Sequence, residues 1–547
     1  MALTYIIPAA AVIVIGVIAD YFILPFWSIH NPFIYLFLIV LACLYFGIHQ
    51  YMCRLKKTSR VLGSAISLGI AAALLAILFI GALTSWSIFH AKAYANILGN
   101  DLVECEITNL VISLEDAGLL DKETAEQLAL REMGSLTDLV SQFDVQSSTQ
   151  ITYNGAPTRV MPLDYADPIK SFTNRKNGVP AYITVDMRTQ EADIHYIDQP
   201  IKYTPNAIFG KDLMRHLHYL YPTRIFAQAP QFEIDDSGNP FYVVPVEAPT
   251  ISLFGGSDVV GVITVDPCSG AAEYYELGTI PEWIDRAYPA DMIIEQFDNY
   301  GKFQGGFWNS FLGQKGVVAS TDGYNYVSDS YDTYMYTGVT SVTADESNIG
   351  FLFSNLRTKE TRYYPLAGAE EYSAMATAEE AVKNFGYTAS FPWMLIVEGT
   401  PTYCMTLKGD GGIVYMYAMV NVNKYQLVAT GTTKEECQSN YRNLVLSNDV
   451  TITQPNTSTP NSLQAGNITG RIEDIRTGNK NGTTYFYLKL EDREPWYVIS
   501  LIDNEEAIKL NTTDTVVLDA GASGGTGPII QAKLRSYTEG AQWWDNN

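Results

Sequence analysis

The sequence predicts an N-terminal α-helical transmembrane bundle of three helices, then tandem α+β extracytoplasmic modules and a small C-terminal β-barrel. Three observations predict this order. Residues 1–90 hold three long apolar runs and very little charge. The stretch from Ser147 to Leu444 repeats a strand–turn–strand signature. Residues 467–547 form short alternating strands behind a polar linker.

The apolar runs are Leu3–Leu24, Phe33–Tyr51 and Val61–Phe89. Each reaches the roughly 20 residues needed to cross the hydrocarbon core. The basic cluster Arg54-Leu-Lys-Lys-Thr-Ser-Arg60 lies between the second and third runs. Such clusters stay cytoplasmic. The expected topology therefore has the N-terminus inside, the Trp27–Asn31 turn outside, and the chain after about residue 90 outside the cell membrane. No cleavable signal pattern is seen, because the first run lacks a basic leader and two more runs follow it. Asp20 is expected at the outer interface. Gly63, Ser67 and Ala71 recur at four-residue spacing, which allows close helix approach within the bundle. Three helices with a single carboxylate make an anchor rather than a transport path.

The 547 residues carry a net charge of −24. Residues 1–90 contain four basic residues and only Asp20 as an acid, so the acidic excess belongs to the rest. Nucleic-acid affinity depends on Lys and Arg displacing counterions. An acidic body excludes nucleic acid as a main partner.

Residues 91–146 read as a helical stalk. Ala129, Met133, Leu136 and Val140 recur at helical spacing, and Asp121-Lys-Glu-Thr supplies an acidic start. Residues 147–446 hold about four repeats. Ile183-Thr-Val-Asp186 returns as Ile263-Thr-Val-Asp266. Thr189 and Ser269 follow three residues later, and His195 and Tyr275 nine residues later. Looser copies end at Asn355, with Thr358 and Tyr364, and at Asn421, with Lys424. A short Asp or Asn side chain that accepts backbone N–H groups is turn chemistry. Ahead of these hairpins, Asn154-Gly155, Asp236-Ser-Gly238, Asp322-Gly323 and Glu398-Gly399 mark another set of turns. Helices are expected at Pro205–Tyr221, Pro281–Tyr300, Ala369–Phe385 and Thr433–Leu446, the first two opening on proline.

The pattern Glu233-Ile-Asp-Asp-Ser-Gly-Asn-Pro-Phe-Tyr-Val-Val244, then Gly261–Asp266 and Tyr274-Tyr275, resembles PepSY-type modules. These are small α+β domains of Gram-positive envelope proteins. The resemblance implies extracytoplasmic binding, inhibition or regulation, commonly of peptidases, without catalysis by the module. Residues 447–466 form a polar linker with two prolines. Beyond it, Gly470-Arg-Ile-Glu-Asp-Ile475 and Tyr485-Phe-Tyr-Leu-Lys-Leu490 resemble an OB-fold, a five-stranded barrel that often binds oligomers.

No spacing selects a catalytic or metal site. His216 and His218 sit two apart on a helix and face apart. His195 shares a repeat position with Tyr275 and Tyr364, which marks it as a packing residue. No cofactor is expected. Cys105, Cys268, Cys404 and Cys437 allow two disulfides in three pairings. The 36 tyrosines stand out. Tyr324 and Tyr326 share a strand face, as do Tyr334 and Tyr336. They form either cross-strand packing or a binding platform. In the barrel, alternation assigns Phe486 and Leu488 to the core and leaves Tyr485, Tyr487 and Trp496 as a candidate ligand face. The reading is a non-enzymatic, membrane-anchored protein that binds or scaffolds envelope proteins or wall polymers. A regulator of an extracytoplasmic peptidase, or an enzyme with an unsignalled carboxylate site, are the alternatives; oligomeric state is left open.

Overall fold

The computed structural model describes residues 3–57, 61–107, 110, 114, 117–329, 331–341, 347–448, 467–480, 483–491, 496–501, 505–512, 514–519, 529–531 and 533–538. The linker expected at 447–466 lies almost wholly outside these residues. Two compact units result, Met1–Ile452 and Thr453–Asn547.

Helices α1 (Leu3–Ile23), α2 (Pro32–Lys56) and α3 (Val61–Thr84) are long and apolar enough to cross a membrane. Gly63, Ser67 and Ala71 are buried in the α2–α3 contact. A Cβ at Gly63 would meet the His49 ring at 2.4 Å. Small residues thus face inward, and the large apolar side chains of α1 and α3 remain outside.

Residues expected as a stalk are instead built into the body. Helix α4 (Ser87–Gly99) packs along a later helix, and Leu102–Glu104 adds a parallel edge strand to the third module, pairing Leu102 with Thr361. Helix α5 (Lys122–Gly134) buries Ala125, Ala129 and Met133 on the first sheet. The helix breaks after Gly134 and resumes as α6 (Thr137–Val140), so Val140 turns outward. An apolar stripe at helical spacing requires a partner surface, and the sheet beside it supplies one.

Four sheets of one design follow. The first module has strands Phe143–Val145, Thr149–Tyr153, Ala156–Tyr165, Val179–Asp186 and Ala192–Ile201, with the short helix α7 (Pro168–Asn174) as an insertion. The second follows α8 (Leu213–Leu220), the third α9 (Ala290–Phe303) and the fourth α10 (Glu371–Ala381). In each, two short strands pair with one long strand, which pairs antiparallel with a second, and that with a third. Helix α11 (Lys434–Ser447) closes the series, with Cys437, Tyr441 and Val445 buried against the fourth sheet.

The repeated turns match atom for atom. Asp186 Oδ1 accepts from the backbone N–H of Arg188 and Thr189 at 2.7 and 3.1 Å. Asp266 does the same for Cys268 and Ser269, and Asn355 for Arg357 and Thr358. The reversing residues Gln190, Gly270 and Lys359 all have φ between 61° and 83°. At Asn421 only Lys424 N–H reaches the side chain and the loop runs on to Leu427. Two expectations change. In the third module the first hairpin turns at Asp329–Asp332, and Asp322-Gly323 joins two earlier strands. Pro205 and Pro281 precede their helices; Asp212 caps α8 and Pro289 stands before α9.

In the second unit, six strands run from Asn467–Lys480 to Lys533–Thr538 around a core of Ile472, Leu488, Ile499 and Val516. The fifth strand expected from sequence divides into Ile529–Gln531 and Lys533–Thr538.

Candidate functional site: a cationic cavity at the module junction

In each module a short strand forms a hairpin with the first long strand: Thr149–Tyr153, Gln231–Ile234, Asn325–Ser328 and Trp393–Val397. The first of these touches the second and third, and the third touches the fourth. Between them lies a cavity of about 760 Å³, lined by residues from all four modules and the start of α5. Lys122, Glu123, Ser147, Pro205 and Ala229 are its exposed residues.

Four cations line it, of which Lys122 is exposed. Arg159, in the long strand of the first module, is 3% exposed. Its two terminal nitrogens donate to Ser148 Oγ at 3.3 Å and Gln150 Oε1 at 3.2 Å, and its Nε has no partner. Arg286, in the loop before α9, is 6% exposed. Its Nη2 donates to Tyr326 Oη at 2.6 Å and its guanidinium lies 3.9 Å over the same ring, while Nε and Nη1 are unpartnered. Lys408 is already paired with Asp121 at 3.2 Å and Glu123 at 2.7 Å. Burial opposes its charge, but these two carboxylates outweigh burial and hold its pKa above the usual value.

Burial pulls the Arg159 pKa down to about 10, against the attraction of Asp121 and together with the neighbouring Arg286 charge. It remains a cation at neutral pH. Two carboxyls sit behind the cavity. Glu233 is wholly buried and accepts the Asp285 backbone N–H at 2.9 Å, leaving Oε1 without a partner. Burial pushes it up to about 7. Asp285 is raised well above the carboxylate range by burial and then by Glu233. Both shifts favour the uncharged carboxyl and so reduce the countercharge beside the two guanidiniums. Tyr242 Oη is also buried and unpaired. Unpaired buried donors on charged groups are costly, and both arginines that carry them line the cavity.

Of the tyrosines singled out by sequence, Tyr324 and Tyr326 line this cavity with rings 5.5 Å apart. Burial, then Tyr326, pushes the Tyr324 phenol up. Tyr336 is wholly buried and donates to the Pro392 carbonyl at 2.5 Å, so it is core rather than platform. Tyr334 packs partly buried at the edge of the same core. Tyr485, Tyr487 and Trp496 share one half-exposed face of the terminal sheet, with the Arg476 guanidinium 4.7 Å over Trp496. Phe486 and Leu488 lie in its core.

The remaining candidates are structural. His195 stacks on Tyr182 and bonds Thr184 at 2.7 Å. His216 bonds the Gly270 carbonyl, whereas His218 lies 3.4 Å from Asp20. Asp20 accepts from Trp27 Nε1 and Tyr219 Oη, tying the end of α1 to α8. All six cysteines are free. Among the described residues no cluster of His, Cys, Asp and Glu could hold a metal ion.

Sequence reasoning missed Arg159 and Arg286. For Arg159 the available signal was a cation directly before the apolar run Val160-Met-Pro-Leu163 of its strand. No family model matches the chain, and no curated protein has a matching sequence.

Proposed function

We propose that the chain is a membrane-anchored extracytoplasmic binding protein of the cell envelope, whose four modules close around an anionic group of its ligand. The observation that supports this is the pair of buried guanidiniums, Arg159 and Arg286, which carry unpartnered nitrogens and line a cavity of about 760 Å³. Each charge-assisted bond there contributes about 1.5–3 kcal/mol. The ligand's charged group sits between the arginines, and Tyr324 and Tyr326 supply flat contact area. In this reading the modules are PepSY-like, the terminal sheet is OB-like, and Arg54, Lys56 and Lys57 hold the α2–α3 loop in the cytoplasm. An enzyme with a carboxylate pair is less favoured, because the carboxylates lining the cavity, Asp121 and Glu123, are both engaged by Lys408.

The test is thermal unfolding of the detergent-purified full chain with citrate, with inorganic phosphate, and with chloride at matched ionic strength. A ligand that binds only the folded state raises Tm in proportion to occupancy. Citrate or phosphate should raise Tm in the native chain and not in Arg286→Gln. Equal Tm in all three salts would overturn the proposal. A protease co-purifying with the native chain would direct the same binding role toward peptidase regulation.

A further inference from the structure

Two surface patches break the acidity of the body, and both lie beside the ends of spanning helices. The first runs over α7 and the turn at Phe209. Residues 168–176 contain Lys170, Arg175 and Lys176 and no acid, and residues 199–211 contain Lys202 and Lys211 and no acid. Ile169, Phe172 and Phe209 are 73%, 51% and 65% exposed. Phe209 has φ 56°, a region that bulky side chains rarely enter. This patch is continuous with α1: Tyr21 and Phe22 line one cavity with Pro168, Ile208 and Phe209, and the Arg215 guanidinium lies 4.2 Å over the Tyr21 ring.

The second patch follows α9. Residues 299–321 include Lys302 and Lys315 and no acid. Trp308, Phe311 and Leu312 are 66%, 74% and 74% exposed. They extend from Phe303 and Phe307, which pack on Ala91 and Ala95 in α4, just beyond α3.

We infer that these two patches rest in the headgroup layer of the bilayer that the helices cross, with Ile169, Phe172, Phe209, Trp308, Phe311 and Leu312 among the upper acyl chains and the lysines and Arg175 against lipid phosphates. Apolar and aromatic side chains mixed with Lys and Arg are the composition of an interfacial contact. Acid elsewhere on the body is repelled from the same surface, so the two basic and apolar patches, the first of which holds Asp167 and Asp212 as helix caps, set which face meets the lipid. A lipid surface is the occupant because both patches continue from helices long enough to span it. The contact holds the body at a fixed tilt over the membrane, a role separate from the cavity.

The experiment places a photoreactive amino acid singly at Phe172, Phe209 or Phe311 in the full chain, reconstituted in vesicles with and without anionic phospholipid. Ile13 in α1 is the lipid-exposed control and Phe385, in the fourth module, the solvent-exposed one; they are 65% and 64% exposed. Lipid adducts at Phe172, Phe209 and Phe311 should be at least five-fold above those at Phe385, and should fall when Arg175 is changed to Glu. Adducts at Ile13 but only background at the three test sites would overturn the inference, as would protein adducts in place of lipid. Background at Ile13 as well would overturn it by refuting the spanning of α1, without bearing on the cavity. Yields indifferent to both anionic lipid and Arg175→Glu would remove the charge component and overturn the inference as stated.

Discussion

Two arginine–aromatic pairs in this molecule look alike and do different work. Arg286 lies 3.9 Å over Tyr326 and Arg476 lies 4.7 Å over Trp496. Arg286 is buried, with two nitrogens unpartnered. Arg476 has a side chain 69% exposed and is paired with Asp474 at 3.0 Å, two residues away on its own strand. Water screens the second pair, and its bonding capacity is served locally. Burial leaves the first with unspent donors in a low-dielectric space, where a ligand's charge counts for more. A motif of residue types therefore says little until its solvation is known.

The largest expected effect separates the two pairs directly. Arg286→Ala should weaken citrate or phosphate binding by about 4 kcal/mol, near 1000-fold, because one charge of a buried contact is removed. Arg476→Ala should leave that binding unchanged and shift stability by no more than about 0.5 kcal/mol. Isothermal titration and denaturant unfolding of the full chains read both. Similar losses for the two variants would erase the contrast.

The second effect is on pH. Glu233 has a folded pKa of about 7, above its ordinary value of 4.5. A carboxyl raised on folding contributes stability that is complete below pH 4.5 and is lost as pH climbs through 7. At about 1.4 kcal/mol per unit the loss is about 3 kcal/mol. Asp285, raised in the same direction, adds to it, and Arg286 beside Glu233 opposes it. Denaturant unfolding should show stability falling between pH 5 and 8 in the native chain and a flatter profile in Glu233→Gln. Anion affinity should weaken over the same range, since an ionised Glu233 competes for the guanidiniums. A profile unchanged by Glu233→Gln would show that the carboxyl is not perturbed by its surroundings.

The third is a trade between stability and binding. Arg159→Met keeps the stem and removes a buried charge that lacks full pairing. Ligand-free stability should rise by about 1–2 kcal/mol while the citrate response is lost. A loss of stability would mark Arg159 as a structural tie to Ser148 and Gln150. The smallest effect belongs to the terminal sheet. Tyr487→Ala should lower stability by less than about 1 kcal/mol, since the ring is half-exposed and outside the core. A larger loss, read as a drop in the unit's melting temperature, would place Tyr487 in the packing and leave no open aromatic face there.

Local chemistry was legible in the sequence. Run length alone identified α1 to α3 as long enough to span, because the bilayer imposes a length on any apolar helix. The turns at Asp186, Asp266 and Asn355 were legible because their hydrogen bonds close within five residues of chain. Alternation assigned Phe486 and Leu488 inward because strand side chains must alternate. Local pattern failed where a partner lay far away. Helix α5 read as a stalk until the first sheet covered Ala125, Ala129 and Met133, and Tyr336 stood between cross-strand packing and a binding platform until Phe353 and the Pro392 carbonyl enclosed it.

What the sequence determined by itself is what depends on neighbours in the chain: three apolar helices, a repeated capped turn, an acidic body. The tertiary structure alone decided the cavity. Arg159 and Arg286 come from different modules, and Tyr326 stands forty residues beyond the second of them. Each is unremarkable where it stands in the chain. Only the packing of the modules buries both guanidiniums at once, because desolvation depends on everything packed around a group rather than on its sequence neighbours.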